Sequence, residues 1–458
     1  MKNAKKILFV CFLVFVLLFL SSCFSPASTQ SSAPESSASS YAPTTETPVS
    51  ESVISPSGSL IIWDGRTDGD GYILYQSFAD DFATEKGVEV DRVTIDLDNL
   101  RNILSPAINS GEGPDVISYD PGPGYLGVMA RSGLALDLTE QARERGWYER
   151  HMDWTLDQCT FDGNLYGIGN QVEANGIFYN KALFAEYNVE VPKTYEEFLS
   201  VCEVFKEAGV TPVMLDTLTR WPGFLLESIW LNAYVGPQKM QDVLQIRAQW
   251  DQPEFADAMD SLYSLVTMGF APSNPNAISK DDGDNQFVSG QVAMRPTGAF
   301  MIGTFSDPES SPISEDIGFF FLPGPGNMGI TPPGGIGEAL FISNKGGDAG
   351  LALDYLDFLF TGERIQRWCE YSFIPSVEGL DVSAYNLKPL FRNFTEELLG
   401  SANMGFNIDV LMPENVNDVT LDIMQELLAG RIDGESYMVE KQKAFQKDID
   451  EGNYVAMS

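Results

Sequence analysis

The residues Asp162–Lys181, DGNLYGIGNQVEANGIFYNK, constrain what this chain can fold into more than any other stretch. The turn Asp162-Gly163-Asn164 leads into the short apolar run Leu165-Tyr166-Gly167-Ile168-Gly169. Asn170, Gln171, Glu173 and Asn175 follow. Then Gly176-Ile177-Phe178-Tyr179 has the signature of a strand, and Asn180-Lys181 that of a helix start. A chain with this pattern leaves one element, passes polar side chains and enters a second unit. With 458 residues, two domains are expected rather than one core.

The chain before and after agrees. Ser59–Asp64 reads as a buried strand, and Gly71–Lys86 as a helix with Leu74, Phe78 and Phe82 on one face. Val88–Ile95 is a second strand, Leu97–Asn109 a second helix, and Val116–Tyr119 a third strand. This β-α-β-α-β order predicts a parallel sheet with ligands at the carboxyl ends of its strands. Beyond the crossing, Thr194 and Glu197 form a capping box for a helix over Tyr195–Ala208 that ends at Gly209. Thr211–Met214 is a strand, helices are expected over 221–235, 253–268 and 281–289, and 316–323 is a strand.

The N-terminus is of another kind. Lys2, Lys5 and Lys6 precede the apolar run Ile7–Leu20, which is too short to span a bilayer and right for a signal peptide. It ends in Leu20-Ser21-Ser22-Cys23, which resembles the bacterial lipobox; an ordinary cleaved signal with an incidental cysteine is the alternative. Residues 24–58 hold twelve Ser, four Thr and five Pro with no Lys or Arg, so they lack the apolar surface to offset ordering and read as a tether. The expected organisation is a signal peptide over 1–22 and a lipidated Cys23 with a tether over 23–58.

Charge and cysteines narrow the function. The formal charge of −37 becomes −40 once the leader is removed, which disfavours nucleic-acid binding. Solubility outside the cell is the simplest reading of that charge. After Cys23 only Cys159, Cys202 and Cys369 remain, with no C-x-x-C pair; buried thiols are expected at Cys202 and Cys369. His151 is the only histidine, which excludes H-E-x-x-H zinc chemistry. Asp64–Tyr75 fails the EF-hand template, with Arg66 at its third place and Tyr75 at its twelfth. No metal site or cofactor is expected. Two G-x-G-x-x-G matches, Gly122–Gly127 and Gly324–Gly329, each carry a proline that removes an N–H, and neither opens the first βα unit of its lobe; both read as turns. Nucleophilic catalysis lacks its motifs, although carboxylates are numerous enough to leave a glycosidase pair open.

The ordered passages resemble those of extracellular solute-binding proteins of ABC importers, the family 1 carbohydrate-binding type. Asp162–Lys181 is similar to that family's crossing between lobes. Ser110–Val116 (SGEGPDV), Gly133–Thr139 (GLALDLT), Val191–Phe198 (VPKTYEEF), Gln286–Met294 (QFVSGQVAM), Gly334–Leu340 (GGIGEAL), the 351–367 helix and Met424–Ile432 resemble its other repeated passages, over roughly 59–450. The resemblance implies an α/β, two-lobed, periplasmic-binding-protein-like type II fold with an inter-lobe ligand cleft. Lobe 1 would be 59–172 plus 316–372 and lobe 2 would be 173–315 plus 373–458, with crossings near 172, 315 and 373. It implies a monomer that binds a sugar without chemistry, on the outer face of a bacterial membrane through the lipid on Cys23, and delivers it to an ABC permease. A receptor for a cationic solute and a surface glycosidase are the alternatives.

A sugar site needs flat aromatic faces and planar polar groups. The candidates on strand ends and crossings are Trp63, Asp64, Tyr119, Asp120, Glu173, Asn175, Trp221, Arg295, Thr297, Phe300 and Glu338. Trp63 suits a core position equally well, and Phe300 stands where many members of the resembled family carry tryptophan. Trp230 is expected in the core. Met404 and Phe406 suit either the far wall or the core.

Overall fold

The structure, a computed structural model, describes residues 58–67, 69–326, 328–401, 404–454 and 456. The expected signal peptide, Cys23 and the tether up to Ser57 lie outside the described residues. All the described residues belong to the unit that begins at Ile54.

Two sheets carry two lobes. In the first, Ser59–Asp64 runs parallel to both Glu89–Thr94 and Val116–Tyr119, as the β-α-β-α-β order requires. Ala339–Ile342 and Gly167–Gly169 extend this sheet in antiparallel pairing. Its helix-covered face buries Leu60, Ile62, Leu74, Phe78, Phe82, Leu100 and Leu104 with Trp368. The SGEGPDV passage has a structural task here. Asp115 accepts the Ile61 amide at 2.8 Å and the Gly347 amide at 2.5 Å, tying the first strand to the loop after Ala339–Ile342.

The second sheet is built on the long strand Gln171–Asn180. Val292–Gly298 and Ile317–Phe320 flank it in antiparallel pairing, and Thr211–Val213 runs parallel to Val292–Gly298. Helices Tyr195–Glu207, Pro222–Val235 and Pro253–Thr267 bury Phe198, Phe205, Trp230, Leu231 and Leu262 in the larger core of this lobe. Thr194 caps the first of these through the Glu197 amide at 3.1 Å. Glu197 reaches back to the Lys193 amide, one residue earlier than a standard box. The helix Lys280–Val288 starts one residue before its expected place, capped by Ser279. Trp230 is fully buried and Cys202 and Cys369 are buried thiols.

The second crossing lies elsewhere than expected. The expected boundary at 316 places Ile317–Phe320 in lobe 1, yet this strand pairs with Asn180–Ile177 in the second sheet. Its four residues are all buried, so its apolar run carries no sign of which sheet owns it. The chain returns to the first sheet only at Gly334–Ala339, through the GGIGEAL passage. Gly334–Ile336 and Ile374–Pro375 both pair antiparallel with Gln171–Asn180, and Val172 is the partner of Ile336 and of Ile374. Three crossings thus lie side by side and form the hinge.

Both glycine-rich repeats are turns, and the first is also a contact between the lobes. Gly122 has φ +83°, and a Cβ there would lie 2.7 Å from the Val410 carbonyl; at Gly124 it would lie 2.8 Å from Pro413 Cα. These glycines let the Pro121–Gly124 loop of lobe 1 meet the 410–413 backbone of lobe 2. In the second repeat the Gly324 amide donates to the Gly329 carbonyl at 2.8 Å, and a Cβ on Gly324 would clash with the Ala233 carbonyl of the Pro222–Val235 helix.

Candidate functional site

The floor of the cleft is built by the hinge. Asn170 stands where the chain leaves the first sheet. Its Oδ1 accepts the Gln171 and Glu338 amides at 2.6 and 2.9 Å, and its Nδ2 donates to the Tyr75 hydroxyl at 2.7 Å. This fixes Glu338, which also accepts from the Ser118 hydroxyl. Arg66 Nη2 lies 3.2 Å from Glu338 and 3.9 Å from Glu173, whose carboxylate also takes the Gln171 side-chain amide. Burial opposes the charge of Arg66, but Glu338 and Glu173 more than offset it, so the arginine titrates above its ordinary value. Burial raises Glu173, and Arg66 only partly counters that. The Arg66 side chain, 20% exposed, lines the larger cavity between the lobes, and that of Glu173 beside it is 22% exposed.

Asp64 is not a free acceptor. Its two oxygens are held by Arg92 at 2.7 and 2.8 Å, Oδ1 also accepts the Arg66 amide at 2.8 Å, and the residue is fully buried. Arg92 in turn donates to the Arg66 carbonyl at 3.1 Å. Asp64 therefore shapes the loop that presents Arg66. Trp63 packs against the core of lobe 1, and Tyr119 is buried against Tyr125 and Phe341. Neither lines either of the cavities between the lobes.

Two cavities open between the lobes. One, of about 730 Å³, is lined by Arg66, Thr67 and Phe373 from lobe 1 and the crossing and by Phe300, Thr304 and Lys388 from lobe 2. The other, of about 440 Å³, has Arg101, Asp120 and Tyr125 on one wall and Trp221, Asp409 and Asn417 on the other. Trp221 and Phe300 join them, with ring centroids 5.9 Å apart. Asp120 is clasped by Arg101 at 2.8 and 2.9 Å; burial raises its pKa and Arg101 works against that.

The remaining candidates are structural. Arg295 is 1% exposed, donating to Asp216 at 2.6 and 2.8 Å and to Asp284 at 2.9 Å, so it is buried in an ion cluster and out of a ligand's reach. Asn175 is buried and donates to Asn407 at 2.8 Å. Thr297 is buried opposite Gly176. Met404 packs against the lobe 2 core that holds Phe319, and Phe406 against the one that holds Trp230. The structure thus brings together Asp120, Glu173, Trp221, Phe300 and Glu338 and removes Trp63, Asp64, Tyr119, Asn175, Arg295 and Thr297. Sequence reasoning missed Arg66, Arg101, Asp409 and Asn417. Arg66 was in view, two residues beyond the first strand, but only as a misfit in a calcium template. No group of three or more His, Cys, Asp or Glu able to hold a metal occurs among the described residues.

A model of the family described as bacterial extracellular solute-binding protein matches residues 65–363. An uncharacterized ABC transporter extracellular-binding protein of Pyrococcus horikoshii is 23% identical over 61% of this chain and 63% of its own length. The multiple sugar-binding protein of Streptococcus mutans is 24% identical over 61% of this chain and 66% of its own. The chain therefore spans less than two thirds of either relative. Among solved structures, a chitin oligosaccharide binding protein superposes with a TM-score of 0.75 at 23% identity, over 86% of this chain and 98% of that one. A cyclo/maltodextrin-binding protein complexed with maltotetraose gives 0.66 at 19% identity, over 85% and 97%. These two show the same two-lobed fold.

Proposed function

Because the chain belongs to the bacterial extracellular solute-binding protein family, we propose that it is a receptor that takes an oligosaccharide between its lobes. The observation that carries this is the pair Trp221 and Phe300, set in contact on one wall between two cavities. A run of aromatic surface facing charged, hydrogen-bonding groups suits sugar rings, whose C–H faces pack and whose hydroxyls pair. Arg66 and Glu173 on the floor and the Asp120–Arg101 pair opposite supply those groups. The ligand is held without chemistry and passed to the permease of an ABC importer. The receptor is a monomer on the outer face of the membrane, held there by lipid on Cys23; two or more acyl chains give stable anchoring where one does not.

The test is a thermal-shift screen of the purified chain against mono- and oligosaccharides, simple amines and divalent metals. A ligand that binds only the folded state raises the midpoint by mass action. A shift with one saccharide class is expected; shifts with metals or simple amines alone would overturn the reading. For the anchor, mass spectrometry of detergent-extracted protein is expected to find acyl groups on Cys23, and Cys23→Ala to release the protein into the medium.

A further inference from the structure

The smaller cavity is unevenly furnished. Asp120, Asp409, Glu414 and Asp418 line it against Arg101 and Arg220. Both arginines are committed, Arg101 to Asp120 and Arg220 to Asp422. Asp120 is committed with them, but Asp409, Glu414 and Asp418 pair with neither. Asn417 is only 8% exposed, and its Oδ1 is buried with no hydrogen-bond partner. Its orientation is settled by the other end of the amide. Nδ2 donates to the Asp409 carbonyl at 2.8 Å, which an oxygen could not do, and also to the Tyr125 hydroxyl at 3.2 Å. One Asp409 carboxylate oxygen, Oδ1, is likewise buried and without a partner. Two orphaned acceptors, an amide oxygen and a carboxyl oxygen, therefore belong to residues that line the same cavity, beside the rings of Trp221, Phe224 and Tyr125.

Buried acceptors left without donors are costly, and a ligand that donates to both removes the cost. A neutral hydroxyl donates one hydrogen bond, whereas an ammonium donates three and carries the charge that four carboxylates and two guanidiniums call for. Aromatic rings add cation–π attraction. Lys280, 5.9 Å from the Trp221 ring, does not fill this role, because Asp284 holds it at 2.7 Å.

We propose that this compartment receives a protonated amine on the saccharide, so that the solute is an oligosaccharide with a free amino group between the Asp409 carboxylate and the Asn417 carbonyl. This rests on reading the cleft as a saccharide site.

The test is calorimetry of the whole chain with gluco-, galacto- and mannosamine oligosaccharides, their N-acetylated counterparts and the parent neutral oligosaccharides. At least one free-amine ligand is expected to bind about tenfold or more tightly than its acetylated form, a preference of the size of one charge-assisted hydrogen bond. Asp409→Asn, which keeps the shape, and Asn417→Ala are each expected to erase that preference. A neutral or acetylated saccharide binding as tightly as the amine, in a chain that does bind saccharides, would overturn the proposal and leave the receptor reading standing. Binding of no saccharide at all would overturn both.

Discussion

Arg66 Nη2 lies 3.2 Å from Oε1 of Glu338, joining the loop after the first strand to the segment by which the chain re-enters that sheet. The pair sits beside Glu173, so one guanidinium separates two carboxylates on the cleft floor. Arg66→Ala leaves those carboxylates facing each other. The expected result is a loss of about 1–3 kcal/mol of stability, the cost of unpaired charge in a largely buried site, with ligand binding weakened at least tenfold. Thermal unfolding and calorimetry on the same preparation check both.

Trp221 and Phe300 form the aromatic wall. Trp221→Ala is expected to weaken saccharide binding by about tenfold, as loss of one stacked face is worth about 1 kcal/mol beyond its area. Phe300→Ala should do the same to a lesser degree. Because the rings touch, the double variant should lose less than the sum of the two. Additive losses would mean that the rings serve separate parts of the ligand.

Arg295 makes the opposite case. With Asp216 and Asp284 it forms a buried ion cluster, and none of the three lines either cavity. Arg295→Ala should cost about 3–5 kcal/mol, since Asp216 is left buried without a cation while Asp284 keeps only Lys280. The fraction that still folds should bind ligand normally. Urea unfolding gives the first number and calorimetry corrected for active fraction gives the second.

Two buried groups tilt stability against pH in opposite senses. Burial, aided by Arg150, lowers His151 to about 4, whereas an unfolded histidine titrates near about 6.5. Its contribution is present above about 6.5 and lost as pH falls towards 4. Asp409 is pushed up to about 7 by burial and then by Asp120, so the folded state keeps a proton that the unfolded chain releases near about 4. Its contribution is full below about 4 and lost as pH rises through 7. Asp409→Asn should therefore gain stability relative to the native chain as pH climbs from 4 to 7. Unfolding midpoints of the two proteins over that range measure the difference.

An amine ligand adds a pH signature of its own. Its ammonium favours the ionised Asp409, so affinity should strengthen as pH rises through about 7 while the amine stays protonated, with a proton released on binding. Calorimetry in buffers of different ionisation heat reads that proton directly. A neutral saccharide should show no such release.

How much of this was legible depends on sequence distance. The parallel sheet, the crossing at 170–175 and the helix capped by Thr194 all follow from local pattern, whereas the second crossing, expected near 315, lies at 334–339. Glu173, Trp221, Phe300 and Glu338 could be found because they stand at element ends. Arg295 also stands in a strand leading to the cleft, but its partner Asp216 is 79 residues away, and nothing local shows that its charge is already spent. Asn417 meets Tyr125 across 292 residues, so its orphaned oxygen has meaning only once the lobes are in place. Ile317–Phe320 is buried at every position, and a strand without a polar face does not announce its sheet.

Val172 pairs with Ile336 and with Ile374, so all three connections between the lobes pass at one level. A turn of one lobe on the other about that line displaces each residue in proportion to its distance from it. Glu173 and Glu338 stand one and two residues from Val172 and Ile336, with Arg66 beside both, so they lie near the line; Trp221, Asp409 and Asn417 belong to the facing wall of the smaller cavity. In the proposed receptor the first group is an anvil and the second a jaw. The charges of the floor would meet a solute in fixed register, and the facing wall would close on it.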